Sequence, residues 1–393
     1  MIRTAMFLMM VGLCFGQITS ASPSTSESSA RVPVAIDSRI GTPLVSGEVA
    51  YFGTEDGTVY AMDMHTGHEL WRFETEGPTW HEPVIHDEVL LFGSVDGRLR
   101  AVSAQTGELL WEFVAGQVDW EVRDIFINGK PTVIDGIAYF SSEDFNVYAV
   151  EVETGTEIWR HRLGEEPQAR SIPIFDGVAY IGAWDGLLYA IDVKSGKERW
   201  RSRTDFRKQL SNHVLFVTVV PIITDDAVYF TDWAGNLMAV DIKTGQQIWM
   251  FNPTTVDMRH VGSRSYLAMH DDILYYATLE DRHLYGVDRH SGKKVWEFEG
   301  DGYLYGPLPT GDGVALYSEY FPATDQRPEA YLVRALDLNT KEILWTADDF
   351  SSPPSIHGSI VYHGGKDGTV HGRDLRSGSE VRRLGVSPAD PAK

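Results

Sequence analysis

The chain has 393 residues, of which 43% are hydrophobic and 11% aromatic. That is ample for a packed core and excludes a disordered polypeptide. A formal net charge of −22 with no Lys/Arg cluster excludes a binder of nucleic acid or anionic membrane, which would need a basic face.

In chain order, Arg3 and the apolar run from Ala5 to Phe15 read as a secretory signal over residues 1–21, with small residues suited to cleavage at Gly16 and Ala21. The run is too short to cross a membrane, and no later stretch approaches the roughly 20 apolar residues of a transmembrane helix. Residues 22–31 are Ser/Thr-rich and read as a flexible leader. The single cysteine, Cys14, lies within the apolar run, with Leu13 before it where a lipoprotein signal has a small residue. Export without disulfides points to a bacterial envelope, the periplasm or the outer-membrane surface, with secretion as the alternative.

The first folded unit starts with an inner strand at Thr42, Pro43 and Leu44. A second strand, Val49 to Gly53, is nearly all apolar and β-favouring, as in strands covered on both faces. Asp56 and Gly57 form a hairpin turn, Thr58 to Met62 a third strand, and Asp63 to Gly67 a second tight turn. The outer strand runs from Glu69 to Phe73. Its signature is Ala61, Asp63, Thr66, Gly67 and Trp71. The same design returns with anchors at Trp111, Trp159, Trp200, Trp249, Trp296 and Trp345, and degenerates at Arg382. A period of about 45 residues is that of four-stranded propeller blades, so the expectation is all-β: an eight-bladed β-propeller over residues 32–386, with a C-terminal tail over 387–393. Val32 to Ile36 is placed to pair with the last blade near Glu380 to Val386 and close the ring. The seven anchoring tryptophans are blade-packing residues, each with an apolar face and an indole N–H that needs a partner.

The signature, spread from Ile40 to Leu384, resembles the PQQ-like (quinoprotein-type) repeat of β-propellers, shared by quinoprotein alcohol dehydrogenases and BamB-type outer-membrane protein assembly factors. By length, eight units, export signal and lack of cofactor machinery, the chain is most similar to the BamB type. That resemblance implies a monomeric, non-enzymatic scaffold that binds a protein of the envelope, such as the barrel-assembly machinery. Members of that type are normally lipoproteins, which the residues around Cys14 do not match. The dehydrogenase branch implies PQQ held with calcium, often under a ring of two adjacent cysteines, and the lone Cys14 cannot form one. No cofactor is therefore expected; the alternative is a PQQ- or other small-molecule-binding propeller, enzymatic only as an oxidoreductase. A glycan-active enzyme with carboxylates at the channel mouth is a third class.

Strand parity places the turns between second and third strands on the same face as the connections between blades. The four tryptophans outside the motif all fall there: Trp80 and Trp120 in connections, Trp184 and Trp233 in turns. The long connections add Arg123 and His213, and Glu319 to Glu329 enlarges a turn of the seventh blade. Long loops on a rigid scaffold are where binding residues concentrate. Residues entering the inner strands, Arg39, His81, Arg170, Arg264 and Tyr305, should surround the channel mouth. The arginines there either hold an acidic ligand or neutralise nearby carboxylates and carbonyls. The tryptophans either pack loops or anchor a partner. The histidines show no metal-ligand spacing, and no metal is expected. The acidic turn tips Glu55, Asp56, Asp96, Glu143, Asp144, Asp185 and Asp232 read as solvated turn residues.

Overall fold

The computed structural model describes residues 38–116, 126–167, 171–203, 217, 220–232, 235–253, 266–277, 282–305, 309–323 and 329–384. Among them, strands form eight antiparallel sheets, each built from consecutive segments of chain. Together they make the eight-bladed β-propeller. In the first blade the strands are Leu44–Ser46, Val49–Gly53, Thr58–Asp63 and Glu69–Glu74, innermost to outermost. The last blade runs Ser355–His357, Ile360–Gly364, Val370–Asp374 and Glu380–Leu384. Its outermost strand is thus C-terminal, and Val32 to Ile36 lie outside the described residues. No described helix is long and apolar enough to cross a membrane.

Alternation along the second and third strands sends side chains to the two neighbouring blades. Phe52, Tyr60 and Met62 of the first blade pack with Tyr362, Val370 and Leu384 of the last. Tyr51, Val59 and Trp71 pack the other way, with Leu90, Phe92 and Val102 of the second blade. The ring therefore closes by side-chain packing. Ser355 Oγ adds a hydrogen bond to the Pro43 carbonyl across the seam at 2.8 Å.

Each anchor pairs across its blade with a small residue, as in Ala61 with Trp71 and Ala190 with Trp200, and a register shift follows directly in the chain. The indole then reaches the next blade: Trp71 donates to the Ala104 carbonyl at 2.9 Å, and Trp111 to Val152 at 2.8 Å. Trp159, Trp200, Trp249 and Trp345 do likewise, to Val193, Ile242, Arg289 and Leu375. Below each ring sits the turn glycine. At Gly107, φ is 74° and an added Cβ would lie 2.7 Å from the Trp71 ring, so both backbone and space demand glycine. One interface departs. Facing Trp296, the seventh blade has Lys341 at the glycine position with φ of 66°. Its ammonium lies 5.1 Å from the Trp296 ring and donates to the Tyr275 hydroxyl at 2.7 Å and to the Leu338 carbonyl.

The turn aspartates work as the residue types suggest. Asp63 accepts from the backbone N–H of Thr66 at 2.7 Å and its hydroxyl at 2.8 Å, and these bonds lower its carboxyl below the ordinary range. The seventh blade also differs inside, where its innermost strand is split into Tyr303–Tyr305 and Thr310–Gly311. Its middle pair is lengthened to Val314–Phe321 and Ala330–Asp337, so strand takes in Glu319 to Phe321 of the expected enlarged turn, of which residues 324–328 lie outside the described residues.

Candidate functional site

The face carrying inter-blade connections is held by hydrogen bonds between those connections and the turns beside them. Thr79, in the connection leaving the first blade, donates its N–H to the Thr54 carbonyl at 3.0 Å, and its hydroxyl accepts the Thr54 N–H at 3.2 Å. The Val95 N–H reaches Pro78, and the Trp184 N–H reaches Glu166 at 2.9 Å. Turns and connections therefore share one face, as strand parity predicts.

Of the turn-tip carboxylates, Glu55 and Asp56 are exposed and Asp185 is half-buried, but four others correct the sequence expectation. Asp144, Asp232 and Glu143 are only 2%, 0% and 7% exposed, and the Asp96 side chain is buried against Arg100 at 2.8 Å. Asp144 accepts from the Gly116 N–H at 2.9 Å, from the Asn146 N–H at 3.0 Å and from the Tyr148 hydroxyl. Asp232 accepts from the Asn236 side chain at 2.8 Å and its N–H at 2.9 Å. Connections fold over these tips, so their carboxylates satisfy buried donors instead of facing water. Tyr148 answers in kind: burial and the Asp144 carboxylate push its hydroxyl well above the ordinary tyrosine value.

Of the residues singled out in sequence, Trp80, His81 and Trp184 are placed on this face, each half-buried. The Trp80 carbonyl accepts from the Thr42 N–H at 3.2 Å, tying its connection to the first blade's inner strand. Arg39 is exposed, and its carbonyl accepts from the Glu55 N–H at 2.9 Å. Tyr305 ends the first segment of the seventh blade's inner strand, its backbone paired with Ser318. Trp120, Arg123, Arg170, His213, Trp233 and Arg264 lie outside the described residues.

At the inner strands a different group emerges. Lys130, on the third blade's inner strand, pairs with Glu82 beside His81 at 2.8 Å. Both act on His357, on the eighth blade's inner strand: burial lowers its imidazole, Glu82 favours its charged form and Lys130 opposes it. Residues from three blades thus meet electrostatically around the centre.

The strongest chemical departure from the repeat is in the eighth blade. By strand pairing, His363 opposite His371 occupies the place of Phe52 opposite Tyr60, of Phe140 opposite Tyr148, and of Tyr276 opposite Tyr285. Arg373 stands where the first blade has Met62. The two imidazoles keep the aromatic stack, 5.2 Å apart at 17°, and Phe350 covers His363. They are 0% and 2% exposed. Asp349, from the connection into this blade, accepts from the Arg373 guanidinium, whose Nε lies 3.3 Å from His363 Nε2. His371 Nδ1 lies 2.8 Å from a Glu380 oxygen, and its Nε2 lies 2.8 Å from Thr369 Oγ1 and 3.1 Å from Asp367. Burial pushes the His363 imidazole down to about 4, against the opposing pull of the Gly364 carbonyl and Asp349. Although burial works to raise Asp367, hydrogen bonds from Thr369 and His371 hold its carboxyl well below the ordinary range. This group has no linear motif. The available signal was that histidine and arginine stand at repeat positions that are apolar in the first blade.

Comparison with known proteins follows the same architecture. The family model described as "Outer membrane protein assembly factor BamB" matches residues 15–144, 114–254 and 254–391. No curated protein sequence matches the chain. Among solved structures, BamB from Moraxella catarrhalis is 18% identical with a TM-score of 0.58, over 72% of this chain and 82% of that one. The computationally designed Ika8 protein is also 18% identical, with a TM-score of 0.64 over 91% of this chain and 100% of the other. At such identity these two structures speak to fold alone.

Proposed function

The chain belongs to the family of outer membrane protein assembly factor BamB, and from that premise we propose that it is a non-enzymatic, protein-binding scaffold of the bacterial envelope. In this reading it is exported by its N-terminal segment and acts in the assembly of outer-membrane β-barrel proteins. The partner docks on the face formed by the connections and turns. The observation that carries the reading is the family match along nearly the whole chain. It is supported by the described part of that face, where a buried carboxylate and threonines hydrogen-bond connections to turns beside Trp80 and Trp184, which lowers the ordering cost of docking there. Tryptophan and arginine are common interface anchors, and the sequence adds Trp120 and Arg264 to the same set of loops.

The PQQ reading has less support. Calcium prefers sites rich in oxygen ligands. The metal-competent group that the described residues bring together, Asp349, His363 and His371, has two nitrogen donors and an arginine against it. That set does not fit the calcium that accompanies PQQ.

The test is capture from an envelope extract with the mature chain as bait. Recovery of the barrel-assembly complex is expected, and its absence overturns the reading. Trp80→Ala, Trp184→Ala, Trp120→Ala and Arg264→Ala should each weaken capture by about 1 kcal/mol or more, with the melting temperature held. Full capture by all four would move the docking surface elsewhere. A fall in melting temperature for any one would make that residue a packing residue.

A further inference from the structure

We propose that Asp349, His363 and His371 form a site for a divalent transition-metal ion such as zinc, with Glu380 as a fourth ligand and the Arg373 guanidinium as the cation that metal displaces. Asp349, His363 and His371 each offer a ligand atom, and these atoms lie within 4.8 Å of one another. Asp349 Oδ2 is 3.9 Å from His371 Nδ1, and Glu380 Oε2 is 2.8 Å from the same nitrogen. Bonds of about 2.0–2.2 Å set tetrahedral ligand atoms roughly 3.4 Å apart, so the three clustered ligands would close by up to about 1.4 Å and Glu380 would swing off its hydrogen bond to His371. Asp349 sits on a connection and Glu380 is on the outermost strand with its side chain 40% exposed, so both can move and the exposed side admits an ion.

The outer contacts favour ligation over simple packing. The Nδ1 of His363 lies 3.0 Å from the Gly364 carbonyl, which leaves its Nε2 lone pair facing Asp349 and Arg373. The Nε2 of His371 points at Asp367, which leaves Nδ1 facing Asp349 and Glu380. A ligating histidine commonly donates its second ring N–H to a carbonyl or carboxylate in this way. Charge also balances: Arg383 is engaged by Asp367, so displacing Arg373 leaves two carboxylates, Asp349 and Glu380, to neutralise a divalent ion. Borderline-soft imidazole with carboxylate suits zinc, cobalt or nickel better than calcium or magnesium.

The experiment is titration of the tag-free, EDTA-treated chain with zinc, magnesium and calcium by calorimetry and thermal melting, with cobalt(II) as a visible probe. One zinc per chain is expected, with a raised melting temperature, a cobalt d–d band and no response to magnesium. The double variant His363→Phe with His371→Tyr installs the pair that the first blade already carries at these positions, so the fold has a precedent. It should abolish the cobalt band. Arg373→Met, again the first blade's residue, should tighten zinc by about tenfold. Failure of the unaltered chain to bind zinc, or binding that persists in the double variant, overturns the site. Unchanged affinity in Arg373→Met overturns the displacement of arginine. None of these readouts depends on partner capture, so the scaffold reading stands or falls separately.

Discussion

The first and eighth blades meet at the seam of the ring, share one strand register and differ in what they bury. The first stacks Phe52 on Tyr60 beside Met62 and reaches its neighbour through Trp71. The eighth stacks His363 on His371 beside Arg373, and Arg382 stands opposite Gly372 where the first blade has Trp71 opposite Ala61. A blade thus tolerates exchange of an apolar stack for a charged network. What the two retain is turn chemistry: Asp374 accepts from the Ser377 N–H and hydroxyl, both at 2.8 Å, much as Asp63 does from Thr66. The repeat is specified by strand length and turns, and its interior is open to other uses where most buried polar groups find partners.

The comparison breaks most readily at Trp71. Trp71 is only 7% exposed, and Trp71→Ala should cost about 3–5 kcal/mol by urea denaturation, through lost packing and the lost indole bond to the Ala104 carbonyl, which keeps only the Tyr51 hydroxyl. A loss below about 1 kcal/mol would mean that the anchors do not carry the inter-blade contact.

Next comes acidity in the eighth blade. Because burial holds His363 at about 4 in the folded chain, below the ordinary value of about 6.5, its neutral form contributes stability that is fully present above pH 6.5. That contribution, about 3 kcal/mol, is lost as pH falls through 4. In chelator-treated protein, His363→Phe should flatten this part of the stability profile. An unchanged slope would assign it to other groups.

Gly107→Ala should cost about 2 kcal/mol, since alanine must take a left-handed conformation and press on the Trp71 ring. In a Trp71→Ala background the cost should shrink, because the clash is relieved. Equal costs in both backgrounds would make the penalty purely one of backbone. Smallest of all, Arg382→Ala should change stability by no more than about 0.5 kcal/mol, marking the seam as the interface that does without an anchor.

Number of blades, turn types, the packing role of the tryptophans and most strands were legible in the chain, the seventh blade's split and lengthened strands excepted. Each is encoded within one repeat, by alternation, by Asp and Gly at fixed offsets and by a single large apolar residue. Shared placement of turns and connections was legible too, because it follows from counting strands. What local pattern could not convey is which groups meet after the ring closes. Asp144 reads as a solvated turn tip until the connection through Gly116 folds over it. Glu82, Lys130 and His357 come from different blades and become neighbours only around a common centre. Asp349, His363, His371 and Glu380 have no ligand spacing, because they converge from a connection and three strands. Secondary structure follows from neighbours in sequence, whereas burial and charge pairing follow from neighbours in space, supplied by other blades, by connections and by facing strands of the same blade.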